Sequence, residues 1–300
     1  YALYKDREGG MWIGSYFGGV DYYPKQYTYF EKVYPGMDVC DIGKRVREFC
    51  ESNDGTVWIG TEDAGLFNYN PANGAIVPFR HPSIYHNIHG LCRDGNYLWV
   101  GTFSKGLNRI DLTTKQVKNY SKGTAPNTLS SNDVFTITRS SEGGLWLGTT
   151  YGLLHYNEAT DDFTRIPELS GVFVSDAMED SRGNLWLVTN VNGVYKRDAK
   201  TRKWEHFEHR EGDPYSLPFN KVLSVFEDSK GQMWFTMQNG GFCRFDGATG
   251  HFISYDSRKE LPSNTVCQIV EDNKGHFWLT TNRGLVDFDP ATGKMEHFTQ

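Results

Sequence analysis

Eleven side chains of this 300-residue chain stand in short segments that break an otherwise monotonous pattern: Tyr16, Phe17, Glu62, Asp63, Phe103, Lys105, Tyr151, Asn190, Gln238, Asn239 and Arg283. The segments read "SYFGG", "TEDAG", "TFSKG", "TTYG", "TNVNG", "MQNGG" and "TNRG". Aromatic faces stack on the apolar side of a sugar ring, while amides and charges bind hydroxyl or acid groups. A twelfth candidate, Arg45, belongs to the basic run Lys44, Arg45 and Arg47, which suits an anion-binding lip. Together the twelve point to a polar, ring-shaped ligand.

Other chemistry finds less support. His81, His86 and His89 share one linker and Cys92 follows, but no second cysteine or carboxylate completes a regular ligand set. No metal or cofactor is expected. No nucleophile elbow, zinc-protease motif or phosphate loop occurs, so no catalytic residue is assigned. Carboxylate pairs such as Glu62 and Asp63 are sequence neighbours, and neighbours on a strand point to opposite faces. The formal charge of −6 disfavours nucleic acid, which requires a basic face. No apolar run approaches the roughly 20 residues that cross a bilayer. The chain opens on Tyr1, and we read it as an excised piece of a longer protein.

The elements that carry these residues repeat. Trp12, Trp58, Trp99, Trp146, Trp186, Trp234 and Trp278 are spaced by 46, 41, 47, 40, 48 and 44 residues, close to a propeller-blade period. A glycine stands three residues before each tryptophan except in the third copy, where Asn96 does. Six residues before stands Asp6, Asp180, Asp228 or Asp272, with Ser52 and Ser140 as substitutes, placed to bond back onto the turn. A second turn glycine, then a third and a fourth strand-like run, complete each unit. The prediction is an all-β, seven-bladed β-propeller with four antiparallel strands per blade, one domain over 1–300. Its blades are expected near 1–31, 45–80, 86–120, 132–166, 172–207, 219–255 and 263–298. The tryptophans should pack between blades, and the strand-borne Cys50, Cys92, Cys243 and Cys267 should act as small buried hydrophobes. The variable hairpins, between strands two and three, should share one face of the disc with the linkers between blades.

The unit, as in "DSRGNLWLVTNVNGVYKRD", "DSKGQMWFTMQNGGFCRFD" and "DNKGHFWLTTNRGLVDFD", resembles the two-component regulator propeller repeat over nearly the whole chain. The resemblance implies the periplasmic sensor region of a Bacteroides-type hybrid two-component system, here its second propeller, within an inner-membrane protein. It further implies an oligosaccharide ligand from dietary or host glycans, and a neighbouring propeller and Ig-like domain as partners; a homodimer is also expected. This fragment would not be an enzyme; kinase activity would lie elsewhere in the full-length protein. A propeller lyase or a protein-interaction scaffold are the alternatives. Val188, Thr236 and Thr280 replace the glycine two residues after the tryptophan, and those copies are expected to have altered hairpins.

Overall fold

Five of the six tryptophan hairpins between residues 45 and 298 fold by one local rule. In the computed structural model, which describes residues 2–5, 11–15, 19–23 and 45–298, the turn glycines Gly55, Gly143, Gly183, Gly231 and Gly275 all have positive φ. The third copy solves the turn differently. There Asp94 pairs with Tyr97 across a two-residue turn, and Gly95 takes the positive φ in place of Asn96.

The chain divides into two compact units, Tyr1–Val39 and Cys40–Gln300. In the first, strands Ala2–Lys5, Met11–Ser15 and Gly19–Tyr23 form a three-stranded antiparallel sheet. In the second, six four-stranded antiparallel sheets follow one another, each from four consecutive strands. They span 46–79, 88–120, 134–165, 174–207, 222–255 and 266–298, and are numbered here blades 1 to 6. The expected seven blades are therefore corrected to six. The first tryptophan copy makes a sheet of three described strands and groups with the first unit; its expected fourth strand, "TYF", lies outside the described residues. Each copy encodes a sheet by its own alternation and turns, and that local code does not say whether the sheet joins the ring.

Five of the tryptophans do pack between blades. Trp58 lies against Ile88, Leu91 and Leu98 of blade 2, Trp99 against Val134 and Leu147 of blade 3, and Trp146 against Val174 and Ala177 of blade 4. Trp186 reaches Val222 and Phe235 of blade 5, and Trp234 reaches Val266 and Phe277 of blade 6. The second turn glycine is needed for a close approach: at Gly241 a Cβ would lie 2.1 Å from the Tyr255 carbonyl oxygen.

The face of the glycine hairpins is stitched by polar groups. Asp180 Oδ1 accepts from the backbone N–H of Arg182 and Asn184, and its Oδ2 accepts from Trp186 Nε1 at 2.8 Å. Ser181 then donates its N–H and hydroxyl to Glu227 of the next blade, as Ser229 does to Glu271. This monotony is structural, as the repeats imply.

Candidate functional site

The first strands of consecutive blades pack side by side, from blade 1 through blade 6. Each carries a β-bulge at the same register. The bulges fall between Val46 and Glu48, Ile88 and Gly90, Val134 and Thr136, Val174 and Asp176, Val222 and Ser224, and Val266 and Gln268. A bulge re-aims side chains locally, and here it turns two residues per strand toward a common channel of about 860 Å³. One ring consists of the bulge residues Arg47, His89, Phe135, Ser175, Leu223 and Cys267. The ring beneath consists of Glu48, Gly90, Thr136, Asp176, Ser224 and Gln268.

The channel opens on the variable face. Backbone bonds tie the residue after strand two to the approach of strand one: Glu62 N–H to Arg45 O, Phe103 to Asn87 O, Asn190 to Phe173 O and Gln238 to Lys221 O. At this mouth Arg47 Nη1 donates to Glu62 Oε1 at 2.8 Å, and Arg45 approaches the same carboxylate at 3.7 Å. The basic run is thus partly neutralised; Lys44 lies outside the described residues. Aromatic rings line the same side: His89 lies 4.3 Å from Phe135 and 6.1 Å from Phe103, and Phe135 lies 4.6 Å from Phe173.

Of the twelve candidates, Arg45, Glu62 and Asn190 line the channel, and Phe103 flanks it through His89. Gln238 is half-buried beside Lys221. Asp63, Lys105, Tyr151 and Arg283 are exposed on the hairpins outside the channel. Asn239, at positive φ, borders a separate cleft of about 260 Å³ with His209, Asp256 and Arg258. Tyr16 and Phe17 lie outside the described residues. His81 and His86 do not join His89: His81 Nδ1 bonds the Ser83 hydroxyl, and the His86 ring packs at a tilt against Tyr85. Cys243 is buried, as expected of it, and the half-buried Cys50 and Cys92 pack against apolar clusters; Cys267 is exposed to the channel, and the hydrophobic reading fails at that residue.

Sequence reasoning missed both rings because first strands were read as scaffold. The signal was present. After a uniform Val or Ile the next two residues differ in every copy, and the third is uniformly apolar (Phe49, Leu91, Ile137, Ala177, Val225 and Ile269). Nor are the glycine-lacking copies altered: Val188, Thr236 and Thr280 pair with Asp176, Ser224 and Gln268 in the same bulged register.

Protonation in the channel is unusual. Burial, then the charge of Asp176, raises Glu48 to about 8 against the pull of Arg47. Burial also raises Asp176 to about 6, despite bonds from Val225 N–H, Ala177 N–H and the Thr136 hydroxyl. His89 falls to about 4, through burial first and Arg47 second. At neutral pH the channel therefore holds an ionised Asp176, a largely protonated Glu48 and a neutral His89.

Residues 42–63, 128–151, 216–239 and 260–283 match the two component regulator propeller. These four segments are similar to regulator propeller repeats. They fall on strands one and two of blades 1, 3, 5 and 6. The curated "Histidine kinase P4" of Formosa agariphila is 25% identical over 227 residues, covering 68% of this chain and 16% of the kinase. The extracellular domain assigned to the hybrid two component system BT3049 of B. thetaiotaomicron superposes with a TM-score of 0.70 at 22% identity, over 85% of this chain and 35% of that one. A virginiamycin B lyase from Staphylococcus aureus superposes at 0.67 with 16% identity, over 85% of this chain and 84% of the lyase. The chain thus spans well under half the length of the two signalling relatives. At these identities the two solved structures carry the propeller fold alone. Among the described residues no helix is long and apolar enough to cross a membrane.

Proposed function

We propose that this regulator propeller is the non-catalytic sensing module of a hybrid two-component sensor kinase, held outside the cytoplasmic membrane. It captures an oligosaccharide at the mouth of its channel. The observation that carries this reading is the mouth itself, where Phe103, Phe135 and Phe173 supply ring faces beside Arg45, Glu62, Asn190 and Lys221. A concave site with aromatic walls and a few fixed polar groups is the usual form of a small-ligand pocket, and about 860 Å³ lies within the common range.

Signalling then follows from differential affinity. Ligand favours the arrangement of this unit and its neighbours, a second propeller, an Ig-like domain and a second copy, in which the mouth is complete, and that shift reaches the kinase. Support comes from the repeat match and the kinase relative. The test is a thermal-shift screen with defined neutral, acidic and amino oligosaccharides. A binder should raise the melting temperature by mass action. The shift should vanish in Asn190→Ala and Phe135→Ala and persist in Tyr151→Ala, whose side chain lies outside the channel. A shift that survives both channel variants would overturn the site.

A further inference from the structure

We infer that the lower ring of the channel receives a primary ammonium group, so that the ligand class is an amino sugar, with Glu48 and Asp176 as its counter-charges. This rests on the saccharide reading above and narrows it.

The geometry comes first. Glu48 and Asp176 occupy the same register position on strand one of blades 1 and 4, and both line the one channel. Neither has an ion-pair partner among the described residues. Asp176 accepts only from neutral donors, Thr136 and the amides of Ala177 and Val225, and Glu48 has no hydrogen bond there. The nearest cation, Arg47, is turned to Glu62 at 2.8 Å.

A second observation points to a ligand. His89 is 6% exposed and belongs to the ring directly above, yet its Nδ1 has no partner among the described residues. A buried nitrogen left unbonded is destabilising, and a ligand hydroxyl would relieve it.

The charged groups around the pair are Arg45 and Arg47 from the approach and first strand of blade 1, Glu62 from the hairpin after its second strand, and His89 from blade 2. Asp133 precedes the first strand of blade 3, Lys221 that of blade 5, and Cys267 comes from blade 6. The cations sit at the mouth with Glu62, and the carboxyl groups of Glu48 and Asp176 lie below it. An acidic sugar reaching the lower ring would meet two carboxyl groups. A neutral one would leave Asp176 without a counter-ion. An ammonium supplies that ion and releases the proton that Glu48 otherwise retains.

The experiment compares β-1,4-linked glucosamine oligosaccharides with their N-acetylated counterparts by calorimetry at pH 7, on wild type, Glu48→Gln and Asp176→Asn. Glu48→Gln removes no hydrogen bond, so it keeps the test open should Asp176→Asn fail to fold. In wild type the free amine should bind about tenfold more tightly, the worth of one charge-assisted bond. That preference should shrink to about twofold or less in either folded variant. Equal affinity for both sugars in wild type, or a preference that survives both variants, overturns the ammonium site and leaves the saccharide site standing. If neither sugar binds, a hit from the neutral or acidic arms of the screen sinks the inference alone, and a blank across every arm sinks both.

Discussion

Trp186 donates its indole N–H to Asp180 Oδ2 at 2.8 Å while Asp180 Oδ1 holds two amide groups of the intervening turn. The same clasp recurs at 2.9 Å between Trp234 and Asp228 and at 3.2 Å between Trp278 and Asp272. Removing the carboxylate strands one buried indole N–H and loosens a hairpin. Asp180→Ala should lower unfolding free energy by about 2–3 kcal/mol in urea titration. A loss below about 0.5 kcal/mol would show that the clasp is incidental.

Where the aspartate is missing, the donor finds another acceptor or is left over: Trp146, with Ser140 at the clasp position, donates to Glu179 Oε1 at 2.7 Å. Trp58 Nε1 is buried without a partner among the described residues, and Ser52 stands at the clasp position. Ser52→Asp should stabilise the protein by about 1 kcal/mol, seen as a higher melting temperature. No gain would mean that blade 1 cannot bring the two groups together.

That clasp also marks what the sequence made readable. The six-residue spacing from Asp180 to Trp186 announced a polar tie, and the tryptophan period announced four-stranded sheets packed through Trp58, Trp99 and Trp186. Both follow from local pattern. The blade count did not follow, because Trp12 sits in a sheet with the same local pattern that belongs to the other unit. The site was half readable. Arg45, Glu62 and Asn190 vary between copies and do line the channel. Glu48, His89, Phe135 and Asp176 vary just as much, but a bulge is a register event between two strands, and alternation along one strand does not reveal it.

The two turn glycines of a blade should respond differently. Gly241 has φ of 70°, and a Cβ there would meet the Tyr255 carbonyl at 2.1 Å. Gly55 has φ of 77° with nothing within 4 Å. Gly55→Ala should cost about 1 kcal/mol from backbone strain alone, and Gly241→Ala about 3 kcal/mol or more, both by chemical denaturation. Equal costs would argue that the carbonyl yields freely.

Asp161 ties blade 3 to blade 2. Its Oδ1 accepts from Tyr120 at 2.5 Å and Tyr156 at 2.8 Å, and Lys118 bonds Oδ2. Burial works to raise this carboxyl, but the bonds from Lys118, Tyr120 and Tyr156 outweigh it and hold it at about 2. A depressed folded value gives stability that is present above the unfolded value near 4 and is lost as pH falls through about 2. Asp161→Asn should therefore be less stable than wild type at pH 7, with the gap closing between about pH 4 and pH 2. A gap independent of pH across that window would remove the ionised carboxylate from the account.

Cysteine chemistry reports on the channel directly. Cys267 faces it, whereas Cys243 is fully buried. Burial raises the Cys267 thiol, with Arg47 pulling the other way, so alkylation is best followed near pH 9, site by site by mass spectrometry. Cys267 should react and Cys243 should stay inert in the folded protein.

The rate at Cys267 is also the most direct test of the channel as the sensing site. In the presence of a saccharide that raises the melting temperature, supplied at about ten times its Kd, alkylation of Cys267 should slow about tenfold as the channel fills. A saturating ligand that leaves that rate unchanged would place the bound sugar somewhere other than the channel.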